Sequence, residues 1–219
     1  TLEADAILHV FPNKNIASLA KKARIPVRVG TSHKIYHFIT CSHNVNFTRR
    51  KSKLHESQLN HELLRPLGLT KIPTLDDIVK TTANFNISKV ELPKVFQLLK
   101  GFTILHPKSQ GSAKEWPMEK YISVAEELVA KGETVVFTGT EAEGALFRGQ
   151  LPKNENIIDS TGQLTLSQLI TLISNAKSLV ACSTGPLHIA AYLGVNAVGL
   201  FSPKKPIHPG RWRALGENV

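Results

Sequence analysis

The segment Ala181–Gly194, ACSTGPLHIAAYLG, sets Thr184, Gly185, Pro186 and His188 where an apolar, strand-like run gives way to a helix-like one. These residue types in this order suit an anion. Pro186 fits the first helical position, where its missing N–H has no partner to lose, and Gly185 as N-cap admits a ligand close to the backbone. The unpaired first-turn N–H groups and the helix dipole then favour negative charge. Thr184 adds a hydroxyl and His188 a ring N–H. An α/β helix can also begin this way with no ligand, so the turn alone leaves both readings open.

A second loop narrows them. HPKSQGSAKEWP, residues 106–117, sets Lys108, Ser109, Gln110, Gly111, Ser112 and Lys114 between a strand and a helix. Two lysines in a Gly/Ser-rich loop at the same end of a sheet fit a diphosphate clamp, with lysine as a point charge in place of a metal ion. Neither GxGxxG nor GxxxxGK[ST] occurs, which argues against dinucleotide oxidoreductases and P-loop NTPases. No Asp-x-Asp pair is present to hold a metal on a sugar diphosphate, and neither metal nor cofactor is expected.

The elements that must carry these loops are legible in the second half. Strands are expected at 103–106, 134–139, 156–159, 178–182 and 196–201. Helices are expected from Pro117 to Gly132, around 145–150, over 166–177 and after Pro186, with an acidic turn at Glu141–Glu143. Short apolar strands alternating with helices mean right-handed βαβ units and a parallel sheet. The first half reads as strand 6–11, helix 15–23, strand 27–30, an irregular basic segment and helix 55–68. Residues 70–97 hold the linker. The expected domains are 1–88, a partial α/β domain with linker, and 89–219.

Composition limits the classes. The chain has 219 residues, 42% hydrophobic and 20% charged, with formal net charge +10. No apolar run approaches the roughly 20 residues that cross a bilayer. Cys41 and Cys182 lack metal-ligand spacing and are expected reduced and buried. The chain starts at Thr1 rather than Met, so a trimmed or incomplete protein is expected. From Thr1 to Pro66, Lys14, Lys21, Lys22, Arg24, Arg28, Lys34, Arg49, Arg50, Lys51, Lys53 and Arg65 outweigh Glu3, Asp5, Glu56 and Glu62. Such a surface is either a solvated basic face or a partner for polyanions. No RNP-type aromatics or zinc-finger spacing point to nucleic acid.

Together, LHPKSQGSAKEWPMEKYISVAEELVAKG, VVFTGTEAEG, CSTGPLHIAAYLGVNAVGLFSP and ADAILHVFPNKNIASLAKKARIPVRVG resemble the ADP-heptose:lipopolysaccharide heptosyltransferases of glycosyltransferase family nine. The likeness covers nearly the whole chain and is most specific around Thr184–Gly194. It implies the GT-B architecture, in which two Rossmann-like domains face a cleft, with the N-terminal domain incomplete in this chain. It implies inverting, metal-independent transfer of heptose from ADP-heptose to the lipopolysaccharide inner core, in the cytoplasm or on the inner face of the bacterial inner membrane.

By position, the resemblance puts Thr184, Gly185 and His188 on the donor diphosphate and Lys114 on the departing ADP. Lys108 and Ser109 reach the diphosphate or heptose, Glu143 or Glu141 the ribose, and Leu166 the adenine. Ser183 faces the sugar where the family often has an acid, which leaves other nucleotide-sugars open. The Asp that serves as general base in the family lies upstream of anything in this chain. Arg49, Arg50, Lys51 and Lys53 are the candidates for acceptor phosphates on an anionic glycolipid. Alternatives are another GT-B transferase or an epimerase, a non-catalytic nucleotide-sugar-binding module, and a lipid-surface or nucleic-acid binder. The last predicts salt-dependent binding but does not explain the two loops.

Overall fold

The computed structural model of the protein describes residues 3–49, 52–82, 85–205 and 207–219. The chain divides into two compact units, Thr1–Asp77 and Ile78–Val219.

The first unit is built on a parallel sheet, β1 (Ala6–Leu8), β2 (Val27–Thr31) and β3 (His43–Val45), in that spatial order. Helix α1 (Lys14–Lys22) crosses from β1 to β2. Its first turn is capped by Asn13, whose Oδ1 accepts from the Asn15 and Ile16 amides, and Ala17 and Ala20 are its buried side. Strand β1 is shorter than the expected 6–11, because the Val10 amide folds back onto the Leu8 carbonyl ahead of Pro12. The basic segment expected to be irregular holds α2 (His37–Thr40) and β3. Elements this short carry too few residues to show a period. The helix expected over 55–68 ends early: α3 spans Glu56–Glu62, and a 3-10 turn with Pro66 follows, closed by Gly68 at φ 99°.

Helix α4 (Leu75–Thr82) contains the boundary between the units, and α5 (Lys94–Gln97) follows within the second. Residues 85–92, expected among the linker, are fastened to that unit. The Val90 amide donates to Thr171 Oγ1, Lys89 Nζ to Asn175 Oδ1, and Leu92 is in the core.

Among the described residues the second unit has five parallel strands: β4 (Thr103–His106), β5 (Val135–Phe137), β6 (Ile157–Asp159), β7 (Ser178–Cys182) and β8 (Asn196–Leu200). Their spatial order is β6-β5-β4-β7-β8. Central β4 is buried at all four residues, as a strand covered on both faces must be. Ile104 points into a cluster with Leu172, Leu179 and Leu187, from α8 (Leu166–Asn175), β7 and α9 (Gly185–Tyr192). Leu105 points oppositely, to Met118, Tyr121 and Ala125 of α6 (Met118–Ala130), with Phe137 and Phe147. Helices therefore cover both faces. Among the described residues no helix is long and apolar enough to cross a membrane.

The acidic turn expected at Glu141–Glu143 is the start of α7 (Glu141–Ala145), and the helix expected at 145–150 is a 3-10 turn over Arg148–Gln150. A capping box decides it: Thr140 Oγ1 accepts from the Glu143 amide while Glu143 Oε2 accepts from the Thr140 amide at 2.8 Å. Arg148 then ties the helix down, pairing with Glu141 at 2.8 Å and Asp159 at 2.6 Å. Gly144 lies so close to Thr161 that a Cβ there would overlap the threonine Oγ1 and Cβ. Gly144→Ala is expected to cost about 1–3 kcal/mol through this overpacking. Urea unfolding of the variant against the parent chain measures it.

In the first unit His9 and His37 are buried and stacked, ring centroids 5.4 Å apart. His37 Nδ1 accepts from the Thr31 amide at 3.0 Å, and the Nε2 atoms of both rings have no partner among the described residues. Burial first, and the neighbouring His37 second, hold His9 below the ordinary imidazole value of 6.5. The folded unit thus disfavours the proton that the unfolded chain accepts, so stability is present above about 6.5 and is lost as pH falls below it. The expected result is a lower melting midpoint at pH 5.5 than at pH 7.5, with the difference reduced in His9→Leu. Equal slopes in the two proteins would exclude His9 as the source.

Candidate functional site

The strand order dictates where a ligand can sit. From β4 the chain moves outward through β5 to β6, then returns across the sheet to β7 on the other side of β4. This reversal is a switch point, and the crevice beyond the carboxyl ends of the strands on either side is where open α/β sheets bind ligands. His106, the last residue of β4, is in register with Ala181 of β7. The two loops singled out in the sequence therefore leave the sheet side by side.

After β7, Thr184 is the N-cap of α9, with Gly185 the first helical residue and Pro186 the second. The helix begins one residue earlier than expected, because Thr184 keeps the extended backbone (φ −131°, ψ 167°). Pro186 still costs nothing, since first-turn amides have no partner within the helix. Gly185 is exposed, with no heavy atom within 4 Å of where a Cβ would stand. The Thr184 hydroxyl donates to the Cys182 carbonyl at 3.2 Å. Cys182 is buried, as expected, whereas Cys41 is only half-buried; both are free thiols. Tyr121 covers Cys182, and burial, followed by that thiol, raises the phenol well above its ordinary range.

After β4, the loop is folded around a residue that sequence reading missed, Glu115. Its carboxylate takes the Ser109 amide at 2.9 Å, the Ser109 hydroxyl at 3.0 Å and Lys108 Nζ at 2.9 Å. Burial alone would raise the Glu115 value, but these bonds and the Lys108 charge bring it below the usual carboxylate range. Lys108 is thereby turned to its own loop. Lys114 is exposed and has no ion pair among the described residues. A single acid lying between paired lysines and a tryptophan was the available signal.

Two cavities adjoin at the tip of α9. The larger, about 600 Å³, is lined by Ser109, Glu143, Leu166, Thr184 and Gly185, with Leu164, Leu169 and Ile189 as apolar wall. Leu166 is 67% exposed, an apolar side chain at the mouth with its far side open. His106 is also there, its Nδ1 2.8 Å from Thr138 Oγ1. Burial lowers its value, and Glu143 offsets this in part.

The smaller cavity, about 330 Å³, is lined by Lys114, Ser183, Thr184, Gly185 and His188. Its far wall is Leu200, Phe201, Ile207 and Trp212, a face that only folding brings there. Trp212 carries the Arg211 guanidinium over its ring, 4.9 Å from the centroid. Ser112, Thr184 and Gly185 line both cavities, so the α9 tip stands between them.

The structure thus gathers Ser109, Lys114, Glu143, Leu166, Ser183, Thr184, Gly185 and His188. Lys108 and Glu141 line neither cavity, being held by Glu115 and Arg148. In the first unit, Arg49 Nε is 2.6 Å from Glu56 and its Nη2 donates to the Val10 carbonyl, while Lys53 is exposed. Arg50 and Lys51 lie outside the described residues. One compartment that is apolar with a few polar groups and a second bearing the Lys114 ammonium, joined at a helix N-terminus, can hold a base, an anionic link and a further small group.

Residues 3–219 match the family model described as glycosyltransferase family 9 (heptosyltransferase). Over 101 residues the chain is 32% identical to lipooligosaccharide heptosyltransferase 2 of Haemophilus influenzae, covering 44% of this chain and 29% of that protein. It is likewise 32% identical over 104 residues to lipopolysaccharide heptosyltransferase 2 of Escherichia coli, covering 44% and 29%. Among solved structures, a family 9 glycosyl transferase from Veillonella parvula superposes with TM-score 0.70 at 19% identity, covering 98% of this chain and 62% of that one. An E. coli heptosyltransferase solved with ADP gives 0.67 at 17% identity, covering 98% and 64%. The chain spans less than two thirds of the length of each. The superpositions carry the fold, α/β of the GT-B type. With the match running through both units, the chain belongs to glycosyltransferase family 9 (heptosyltransferase).

Proposed function

We propose that this chain binds ADP-heptose across the two cavities and belongs to an inverting, metal-independent transferase that passes the heptose to the lipopolysaccharide inner core. The observation that carries the reading is the α9 tip, which stands between two compartments, with Lys114 in the smaller of them. Adenine packs on Leu166 and Leu169 in the larger cavity. Glu143, rather than the Arg148-bound Glu141, meets the ribose. The diphosphate lies over the Gly185 and Leu187 amides, and the sugar enters the smaller cavity beside Ser183 and His188. Family membership supports the same assignment, and a relative of this fold has been solved with ADP.

In the proposed reaction an acceptor hydroxyl attacks the anomeric carbon from the face opposite the diphosphate, and its proton leaves to a general base. The bond from that carbon to the phosphate oxygen breaks, and its electron pair goes to ADP. The helix N-terminus and the Lys114 ammonium are fixed positive groups where that charge develops, the task a metal ion performs elsewhere. The acceptor is an anionic glycolipid met at the cytoplasmic membrane surface, and the basic first unit supports this.

Ser183 favours a second reading, with the same fold and a different nucleotide-sugar. Among the described residues the smaller cavity has no carboxylate to receive sugar hydroxyls.

Calorimetric titration separates these readings. ADP is expected to bind with or without magnesium, and Lys114→Ala to weaken it about tenfold by removing a charge-assisted contact. Leu166→Asp is expected to weaken ADP but not inorganic pyrophosphate. Preference for UDP would replace the donor, and failure of the folded chain to bind either nucleotide would overturn the site.

A further inference from the structure

The smaller cavity has linings of two chemistries. Lys114, Ser183 and His188 are its polar part, and Phe201, Ile207 and Trp212 are an apolar wall. The wall comes from a stretch that reads in sequence as a basic tail, so its rigidity has to come from the fold.

The chain fastens that stretch at both ends. At its start, the Phe201 ring folds back over β8, where a Cβ on residue 199 would overlap it, so glycine is required at that position. At its end, Trp212 closes α10 (Pro209–Trp212), a single turn in which its amide donates to the carbonyl of the N-cap His208 at 3.2 Å. One turn of helix has no stability of its own. Beyond Trp212 the chain is pinned to the body of the second unit. Ala214 and Leu215 are buried, and Ala214 joins the core cluster that holds Ala190, Ala191 and Ala197. The Ala197 amide donates to the Asn218 carbonyl at 2.8 Å, and Asn218 Nδ2 donates to the Gly194 carbonyl at 2.8 Å. Arg211, itself buried, covers part of the indole from 4.9 Å. The ring is therefore held, half-buried, as a wall of the cavity rather than as filling of the core.

We propose that Trp212 is a specificity-determining residue for the transferred sugar, whose C–H face lies on Trp212 and Phe201 while its hydroxyl edge turns to Ser183 and His188. A pyranose has both features, C–H bonds presented on a face and hydroxyls around the rim. Laying that face on a fixed aromatic ring removes apolar surface from water and costs the protein little ordering. Phosphate has no apolar face, and the α9 amides and Lys114 draw it elsewhere. A base seated on Trp212 would leave the apolar wall of the larger cavity, Leu164, Leu166 and Leu169, without a ligand. The inference rests on the donor reading given above and names the residue that reads the sugar.

Calorimetric titration of the full chain with ADP and with ADP-heptose tests it. The wild type is expected to bind ADP-heptose more tightly than ADP. Trp212→Ala is expected to weaken ADP-heptose about tenfold and ADP less than about twofold. Trp212→Phe is expected to keep most of the sugar's contribution, because a phenyl ring still offers an apolar face. Should the alanine variant fold poorly, tryptophan emission decides, since the chain has two tryptophans and the other is Trp116. An emission change caused by ADP-heptose but not by ADP, and removed in Trp212→Phe, is the expected result. Equal weakening of both ligands in Trp212→Ala would mark a structural ring and overturn the proposal. So would an emission change already complete with ADP, which would seat the base there, or ADP-heptose binding no tighter than ADP. Each of these leaves ADP binding, and with it the nucleotide site, standing. Failure of the folded wild type to bind ADP would overturn the donor reading and this inference with it.

Discussion

The parallel pairing of β4 with β7 is the constraint on which the candidate site depends. These strands are far apart in the chain, yet Thr103–His106 runs in register with Ser178–Ala181. That pairing makes the reversal of strand order, and the reversal opens the crevice. It also brings the Lys/Ser loop to the Thr-Gly-Pro turn. Without the register neither loop is a site: one is a lysine-bearing turn and the other a helix start. The pairing is held from both faces, by Ile104 with Leu179 on one and by Leu105 with Val180 on the other, so the site rests on a buried part of the sheet.

Around that crevice, polar groups fall into two kinds. Some are spent on holding the loops: Glu115 gathers Lys108 and Ser109, Arg148 gathers Glu141 and Asp159, and Thr140 and Glu143 cap α7. Others keep donors toward the cavities, among them Lys114 and the first amides of α9. The division matters because preorganised donors stabilise developing charge only if they do not have to move to meet it.

The first unit follows a different logic. Among the described residues its sheet has three strands, and two buried histidines lie at the carboxyl end with no partner for their Nε2 atoms. Buried polar groups without partners cost stability, so this region departs from what folding alone favours.

Much of this was legible in the amino-acid order. Alternating apolar runs and helical periods gave α/β units and a parallel sheet, because a buried strand and an amphipathic helix leave unmistakable patterns. Gly-Pro after an apolar strand gave the start of α9, and the motifs gave the family. What the order could not show are pairings between distant residues. Glu115 is passed over, and Lys108 and Glu141 read as site residues, before their partners are in place. Residues 37–45 are too short for a period to mark α2 or β3. The wall of Phe201, Ile207 and Trp212 has no local signature. Local pattern is written in neighbouring residues, but which loops share a crevice is settled by register between strands, and only the folded sheet fixes that.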